Sequence, residues 1–419
     1  MTEIVFLVES VDQYNLPFTL GDRIKSLSPE WIEHYQSEII NTYQSIVGNK
    51  ISFLPYGEVE NFDPNKKYYY FICIDLFNFD FSIYFQMLGK SKLKRLHDNN
   101  VPLYFAHDLE TLPHLDFKTF VNKLEWLYNM RMVYSPVQNH IVFSTITQIV
   151  PPQLNFLKIH FHNQFKFLHS PIHFRYAVNE LKNKCPDGER LFALHRTEKD
   201  RQYTCLNREP RASRITLMHG LRSQGLFREG YISNSMPQHM SPDIIRTQTE
   251  YGISVKSDMH NGMILCMLLD EYDISNNKPR YLPFFPEQTW STYYDIVGET
   301  TAPYYIPDPL DLTQVTEKTA KSILSMRPFM INGGPYCLGR LKHLGFKTYD
   351  IMFDESYDNK TDIIDRQEII VNNVKRYTNK YHDLEALMPQ VREIASYNRH
   401  HILNADYEQL LVNELNSLN

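Results

Sequence analysis

At 419 residues the chain exceeds what one ordinary core accommodates, and its 42% apolar content, with no long Gly/Ser or single-charge block, excludes a disordered or fibrous protein. A net charge of -6 excludes a protein that coats nucleic acid through bulk charge, while leaving room for a local basic groove. Two domains are therefore expected.

The chain opens with "EIVFLVES", a short apolar run with acidic flanks that reads as a first strand and not as a signal peptide. No segment reaches the ~18 apolar residues that suggest a membrane span. The five cysteines (Cys73, Cys185, Cys205, Cys266 and Cys337) are odd in number and widely spaced, without a CxxC pair. This usage fits reduced thiols and a cytoplasmic location. "SPEWIEHYQSEIINTYQSIVG" reads as a helix capped by Ser28 with Pro29 at its first position. The strands "KISFLPYG" and "KYYYFICIDLF" follow, then the helix "SIYFQMLGKSKLKRLHDNN", the strand "VPLYFAHD", the helix "FKTFVNKLEWLYNM" and the strand "NHIVFSTIT". Short apolar strands alternating with amphipathic helices imply parallel pairing through βαβ units.

Between residues 150 and 190 the rhythm breaks in a stretch rich in proline and histidine, where the inter-domain connection is expected. His160, His162, His169 and His173 lack the spacing of a zinc site. The alternation then resumes. "RQYTCLN" is a strand, "RASRITLMHGLRSQGL" a helix, "EGYISNS" and "TWSTYYDIVGET" strands, and "MILCMLLDEYD" is ambiguous by periodicity. Residues 312–350 supply helix, strand, helix and strand, the last being "FKTYD" after a helix closed by Gly345. Three helical stretches end the chain.

Four clusters can carry chemistry. Arg208, Arg211 and Arg214 stand where a helix begins, the end that ordinarily repels cations, which suggests an anion between them. Thr316 can cap a helix begun by Glu317 and Lys318, a pair suited to a ribose hydroxyl and a phosphate. Gly333 and Gly334 follow a strand and permit close approach of a ligand to the backbone. Glu299 and Thr300 follow another strand, at the end where open α/β sheets bind ligands. Neither a P-loop nor GxGxxG is present, which disfavours a dehydrogenase. In the first half Glu9, Asp75, His107, Asp108 and Glu110 lie near strand ends, and any of these carboxylates suits a general base, with Asp75 and Asp108 the chosen candidates. Lys90, Lys92, Lys94 and Arg95 share one helix and form a possible basic groove.

Taken in order, "CLNREPRASR", "DIVGET", "TEKTAKSILSMRPFMINGGPYCLGRLKHLGFKTYD" and "FDESYDNKTDIIDR" resemble the C-terminal half of a glycosyltransferase-like family found in phages, large DNA viruses and some bacteria. A more distant likeness is to the donor half of α-1,3-fucosyltransferases. The resemblance covers residues 203–366, with Ala320 and Tyr336 departing from the usual pattern, Tyr336 where glycine is customary. It implies a GT-B arrangement: an α/β protein of two Rossmann-like domains facing a cleft, with a helical C-terminal tail. The expected division is 1–175 for the acceptor, 176–380 for the donor and 381–419 for helices packing back. Arg208, Arg211 and Lys318 would neutralise the diphosphate of a UDP- or GDP-linked sugar and Glu317 would hold its ribose. Arg214, Glu299, Thr316, Gly333 and Gly334 would line the same pocket.

The implied reaction is inverting transfer to an acceptor hydroxyl without a cofactor, and no DxD motif calls for a metal. The acceptor is a hydroxylated base of phage DNA, reached through Lys92, Lys94 and Arg95, or alternatively a glycan or protein. A phage-encoded protein would act in the host cytoplasm. The rival reading is a binding protein of the same fold that has lost turnover.

Overall fold

The computed structural model describes residues 3–8, 44, 50–73, 91–92, 94–107, 141–145, 165–169, 178, 191, 198–207, 212–233, 287–299 and 315–417. The protein is α/β and divides into two compact units. Unit 1 comprises residues 1–176 with 406–419, and unit 2 comprises residues 177–405. Among the described residues no helix is long and apolar enough to cross a membrane.

Unit 1 is built on a six-stranded parallel sheet formed by β1 (Glu3–Val8), β2 (Ile51–Pro55), β3 (Lys66–Cys73), β4 (Leu103–His107), β5 (Ile141–Thr145) and β6 (Phe165–His169), in the order β2-β1-β3-β4-β5-β6. Ile4, Val5, Phe6 and Leu7 are all fully buried, as expected of a parallel strand covered on both faces. Register sets Phe6 beside Phe53 and Tyr69, and Phe71 beside Tyr104. The Phe71 and Tyr104 rings stack with centroids 5.5 Å apart, so part of the chain's aromatic content fills this core. Strand β6 lies inside the stretch read as an inter-domain connection, and the division between the units, at residues 176 and 177, falls in the same stretch just after it. Its pairing with β5, Ile141 beside Phe165 through Thr145 beside His169, extends the sheet by one strand.

Unit 2 holds a four-stranded parallel sheet formed by β7 (Arg201–Leu206), β8 (Gly230–Ser233), β9 (Thr292–Gly298) and β10 (Phe329–Asn332), in the order β10-β9-β7-β8. Its helices are α1 (Ala212–Ser223), the single turn α2 (Glu287–Trp290), α3 (Glu317–Leu324), α4 (Cys337–His343), α5 (Ile363–Arg376) and α6 (Tyr381–Asn404). The last helix, α7 (Tyr407–Ser417), belongs to unit 1, so the C-terminal helices are shared between the units. Lys67 Nζ and Tyr69 Oη donate to the Leu415 carbonyl at 2.9 and 3.1 Å, satisfying one of the last-turn acceptors of α7. At its other end Lys50 donates through its backbone N–H to Glu408 and through Nζ to Asp406, each at 2.8 Å.

All seven residues of β9 are buried. Among them Asp295 forms an ion pair with Arg327, whose side chain is fully buried, at 2.8 Å. Thr204 Oγ1 and Ser322 Oγ also donate to Asp295, at 2.7 and 2.9 Å, and Arg327 donates to Thr292 Oγ1 at 2.6 Å. One polar network thus joins β7, β9 and α3.

The segment "FKTYD" is not a strand. Side chains take the place of a neighbouring strand: Asn398 accepts from the Lys347 N–H and donates to its carbonyl, both at 2.8 Å. Glu355 accepts from the Tyr349 N–H at 2.8 Å and from Thr348 Oγ1 at 2.8 Å. Gly345 does close α4, at φ +90°. The Gly345 N–H donates to Lys342 O and the Phe346 N–H to Leu341 O, each at 3.0 Å, the paired bonds of a Schellman ending.

Candidate functional site

In unit 2 the chain passes from β7 through α1 to β8 on one side, whereas β9 lies on the other side of β7. The strand order therefore reverses between β7 and β9. Open parallel sheets bind ligands outside the carboxyl ends of the strands at such a reversal. Asn207 follows β7 there, and Gly298 ends β9 with Glu299 just after it. Arg208, Arg211 and Thr300, which come next along the chain, lie outside the described residues.

Arg214, in the first turn of α1, is 4% exposed and donates through Nη2 to the Gly298 carbonyl at 3.1 Å. Its described bond steadies the end of β9. Asn332, the last residue of β10, donates to Ser213 O at 3.1 Å and accepts from Gln367 Nε2 at 3.0 Å, tying that strand to α1 and α5.

Glu299 has no exposed surface. Oε1 accepts from the Thr316 N–H at 3.0 Å and from Thr319 Oγ1 at 2.6 Å, and Oε2 accepts from Thr316 Oγ1 at 2.5 Å. Thr316 is the expected N-cap of α3, its Oγ1 accepting from the Lys318 N–H at 3.3 Å. Beyond this cap Glu317 and Lys318 are each close to 30% exposed, with side-chain values of 29% and 31%, and pair at 2.6 Å. Lys318 Nζ also donates to Thr316 Oγ1 at 3.3 Å. Arg214, Glu299, Thr316, Glu317 and Lys318 thus gather at one edge of one sheet, with the last pair facing outward.

The glycine turn stands beside them. A Cβ on Gly333 would lie 3.2 Å from Glu299 Cβ and 3.3 Å from Cys337 Sγ, so a side chain there would require these neighbours to give by a few tenths of an ångström. Arg366 donates to the Gly333 carbonyl, and also to Lys360 O at 2.6 Å. Gly334 is buried and accepts from Cys337 Sγ at 3.2 Å. Tyr336 takes up the left-handed conformation, φ 64° and ψ 19°, just before α4. Two amides of the first turn of α4 are already satisfied: Asp358 accepts from the Leu338 and Gly339 N–H groups at 2.9 and 3.0 Å. Burial pushes the Asp358 carboxyl above its ordinary value, against the downward pull of those two N–H groups. The glycine turn therefore positions its neighbours, and the start of α4 holds a carboxylate of the chain itself.

At the amino-terminal side of the sheet, just before β7, Lys199 donates to the Trp290 carbonyl. Burial first, then the charges of Arg327 and Arg392, pushes this ammonium down to about 7.

In unit 1 the cations of the 91–98 helix have partners of their own. Lys94 pairs with Asp98 one turn on, at 2.5 Å. Arg95 donates to the carbonyls of Val59 and Glu60 and lies 5.0 Å from the Tyr56 ring centroid. Lys92 Nζ lies 5.2 Å from the same ring. The three are neighbours, yet Lys94 and Arg95 serve the helix and the turn after β2. Asp75 and Asp108 lie outside the described residues, as do Glu9, Glu110, Lys90, His160, His162 and His173. The strands leading to Glu9, Asp75 and Asp108 are nonetheless consecutive in the sheet, as β1, β3 and β4.

Sequence reasoning did not single out Asn332, Asp358, Arg366 or Gln367 as part of this region. The last three stand in or just after the "FDESYDNKTDIIDR" stretch, which carried the resemblance without any role for its residues. Cys205 and Cys337 are buried thiols outside any disulfide, and among the described residues no group of three or more His, Cys, Asp or Glu is placed to hold a metal ion. No protein-family model matches the chain, and no curated protein matches it.

Proposed function

We propose that the chain is a glycosyltransferase of the GT-B type, with a nucleotide-sugar donor on unit 2 and an acceptor hydroxyl on unit 1. The observation that carries this reading is the convergence of Arg214, Glu299 and the Glu317-Lys318 helix start on the strand-order reversal between β7 and β9. Glu317 offers a carboxylate to ribose hydroxyls, and Lys318 offers an ammonium to the diphosphate, joined in sequence by Arg208 and Arg211. Position 336 adds support. Where the resembled family customarily carries glycine, the backbone here has the positive φ that glycine adopts freely.

In the proposed reaction a carboxylate of unit 1, drawn from Glu9, Asp75 and Asp108, takes the proton of the acceptor hydroxyl. The oxygen attacks the anomeric carbon as the bond to the nucleoside diphosphate breaks, and the cations take up the charge on the leaving group. A single displacement inverts that carbon. For the acceptor, a hydroxylated DNA base and a glycan are the two classes. The engagement of Arg95 by the Val59 and Glu60 carbonyls favours the glycan, because a polyanion needs cations turned toward it.

A thermal-shift screen against UDP, GDP, CMP and their sugars, run on the wild type and on Glu317→Ala, tests the reading. One nucleotide family is expected to stabilise the wild type, by about 2.7 kcal/mol at a hundredfold excess over Kd, and to lose that effect in the variant. A folded sample that responds to none of them overturns it.

A further inference from the structure

We infer that Glu299 is a positioning residue that sets the direction of a hydrogen-bond relay through Thr316 and so holds Lys318 and Glu317 in one donor-binding arrangement. The inference rests on the proposed nucleotide-sugar reading and adds a role at the same site. An ionised carboxylate only accepts hydrogen bonds, whereas a hydroxyl has one proton to give and lone pairs to receive. With Glu299 Oε2 at 2.5 Å, the Thr316 hydroxyl proton is committed to the carboxylate. Its lone pairs are then left for the Lys318 N–H and the Lys318 ammonium, each at 3.3 Å. The ammonium in turn meets Glu317 at 2.6 Å. A carboxylate with no exposed surface thus reaches the partly exposed pair through a single hydroxyl.

A second contact fixes the carboxylate. Thr319 Oγ1, one helical turn beyond the cap, donates to Oε1 at 2.6 Å, and the Thr316 N–H shares that oxygen at 3.0 Å. Glu299 is thereby held against both the cap and the third residue of α3. It acts on the ligand only through α3.

Glu299→Gln tests this with little change of shape. Placed with its amide nitrogen toward Thr316 Oγ1, the side chain donates where the carboxylate accepted. The hydroxyl proton must then turn toward Lys318, where two donors already point. With the amide reversed, the nitrogen instead faces the Thr316 N–H and the Thr319 hydroxyl. Either placement sets donor against donor.

The experiment measures UDP and GDP affinity by isothermal titration on the full chain, with amide hydrogen exchange over residues 315–321 in the absence of nucleotide. Glu299→Gln is expected to weaken the nucleotide that binds by about tenfold or more and to speed exchange in that segment, as loss of a hydrogen bond to a charged group implies. Thr316→Val is expected to weaken it likewise, and Thr316→Ser, which keeps the hydroxyl, to restore it. Ser322→Ala serves as control, since it removes a bond from the far end of α3 to Asp295 and leaves the relay intact. Unchanged affinity in Glu299→Gln overturns the inference. So does an equal loss in Ser322→Ala, which would mean general loosening of the helix. If the wild type binds neither nucleotide and CMP also leaves its melting temperature unchanged, the proposed function falls instead. Exchange then decides the relay alone, and unaltered exchange in Glu299→Gln rejects it as well.

Discussion

Replacing Arg327 by Met should destabilise unit 2 by about 3–5 kcal/mol, the cost of leaving one member of a buried ion pair without its partner. The guanidinium is fully buried and pairs with an Asp295 side chain only 5% exposed. After the substitution Asp295 keeps the hydroxyl bonds from Thr204 and Ser322, but its countercharge is gone. Thr292 Oγ1 loses its bond from Arg327 and retains its own donation to Thr289 O at 2.7 Å. For a unit of this size the loss corresponds to a fall in Tm of about 6–20 °C. Trp290 is the only tryptophan in unit 2, and it lies 5.9 Å from the guanidinium carbon, so its fluorescence in urea titrations reports on this network. Replacing both charges, Asp295→Leu with Arg327→Met, should recover most of the loss, because burying neither ion avoids both desolvation costs. A loss below about 1 kcal/mol in the single variant refutes the reasoning. So does a double variant that loses the sum of its parts, since the two charges would then be independent.

Two further predictions turn on pH. The folded Asp358 carboxyl titrates above its unfolded value near 3.8, so its contribution to stability is complete below that value and is lost as pH rises through the folded one. Asp358→Asn should cost about 1–3 kcal/mol at neutral pH, because an amide cannot accept from both Leu338 and Gly339. The wild-type advantage should then grow as the pH is lowered toward about 4, and urea titrations showing a constant difference would contradict the assignment. Lys199 is opposite in sense: a folded value of about 7 against 10.5 means that the folded state binds fewer protons between the two, so stability rises with pH across that window. Lys199→Met should therefore gain most over the wild type at or below about pH 7 and progressively less toward pH 10. Calorimetry showing equal shifts at both ends would exclude the charge as cause.

The elements that sequence reasoning reached are those with local causes. Apolar runs gave strands β1 to β5, Thr316 capped α3, and Gly345 closed α4. What it missed depends on partners distant along the chain. The "FKTYD" segment has strand composition, but Asn398, about fifty residues on, takes up its backbone groups. Strand β6 was hidden because Phe165–His169 sits in a stretch whose prolines and histidines read as a connection, and only a neighbouring strand with free edge groups makes it a strand. At the candidate site the pattern marked Glu299 as a strand-end carboxylate, but its burial follows from two threonines on a later helix. Lys94 and Arg95 read as a basic row because periodicity shows that cations share a helix and not what they touch.

The helix starts of unit 2 bear on where an anionic ligand would sit. A carboxylate of the chain itself meets the start of α3 in Glu299, of α4 in Asp358 and of α5 in Asp362, whose side chain accepts from the Ile364 N–H at 2.7 Å and the Asp365 N–H at 3.1 Å. Each such cap supplies internally the negative charge that a helix start favours. The first turn of α1 contains no acidic residue and does contain Arg214, and Arg208, Glu209 and Arg211 precede it in sequence. Two like charges, a helix dipole and a guanidinium, are better placed together if an anion joins them. The start of α1 follows β7, one of the two strands at the order reversal, and α3 follows β9, the other. In the proposed reading the diphosphate accordingly rests against the start of α1. Lys318 approaches it from α3, and Glu299 serves as the buried support that holds Lys318 to that task.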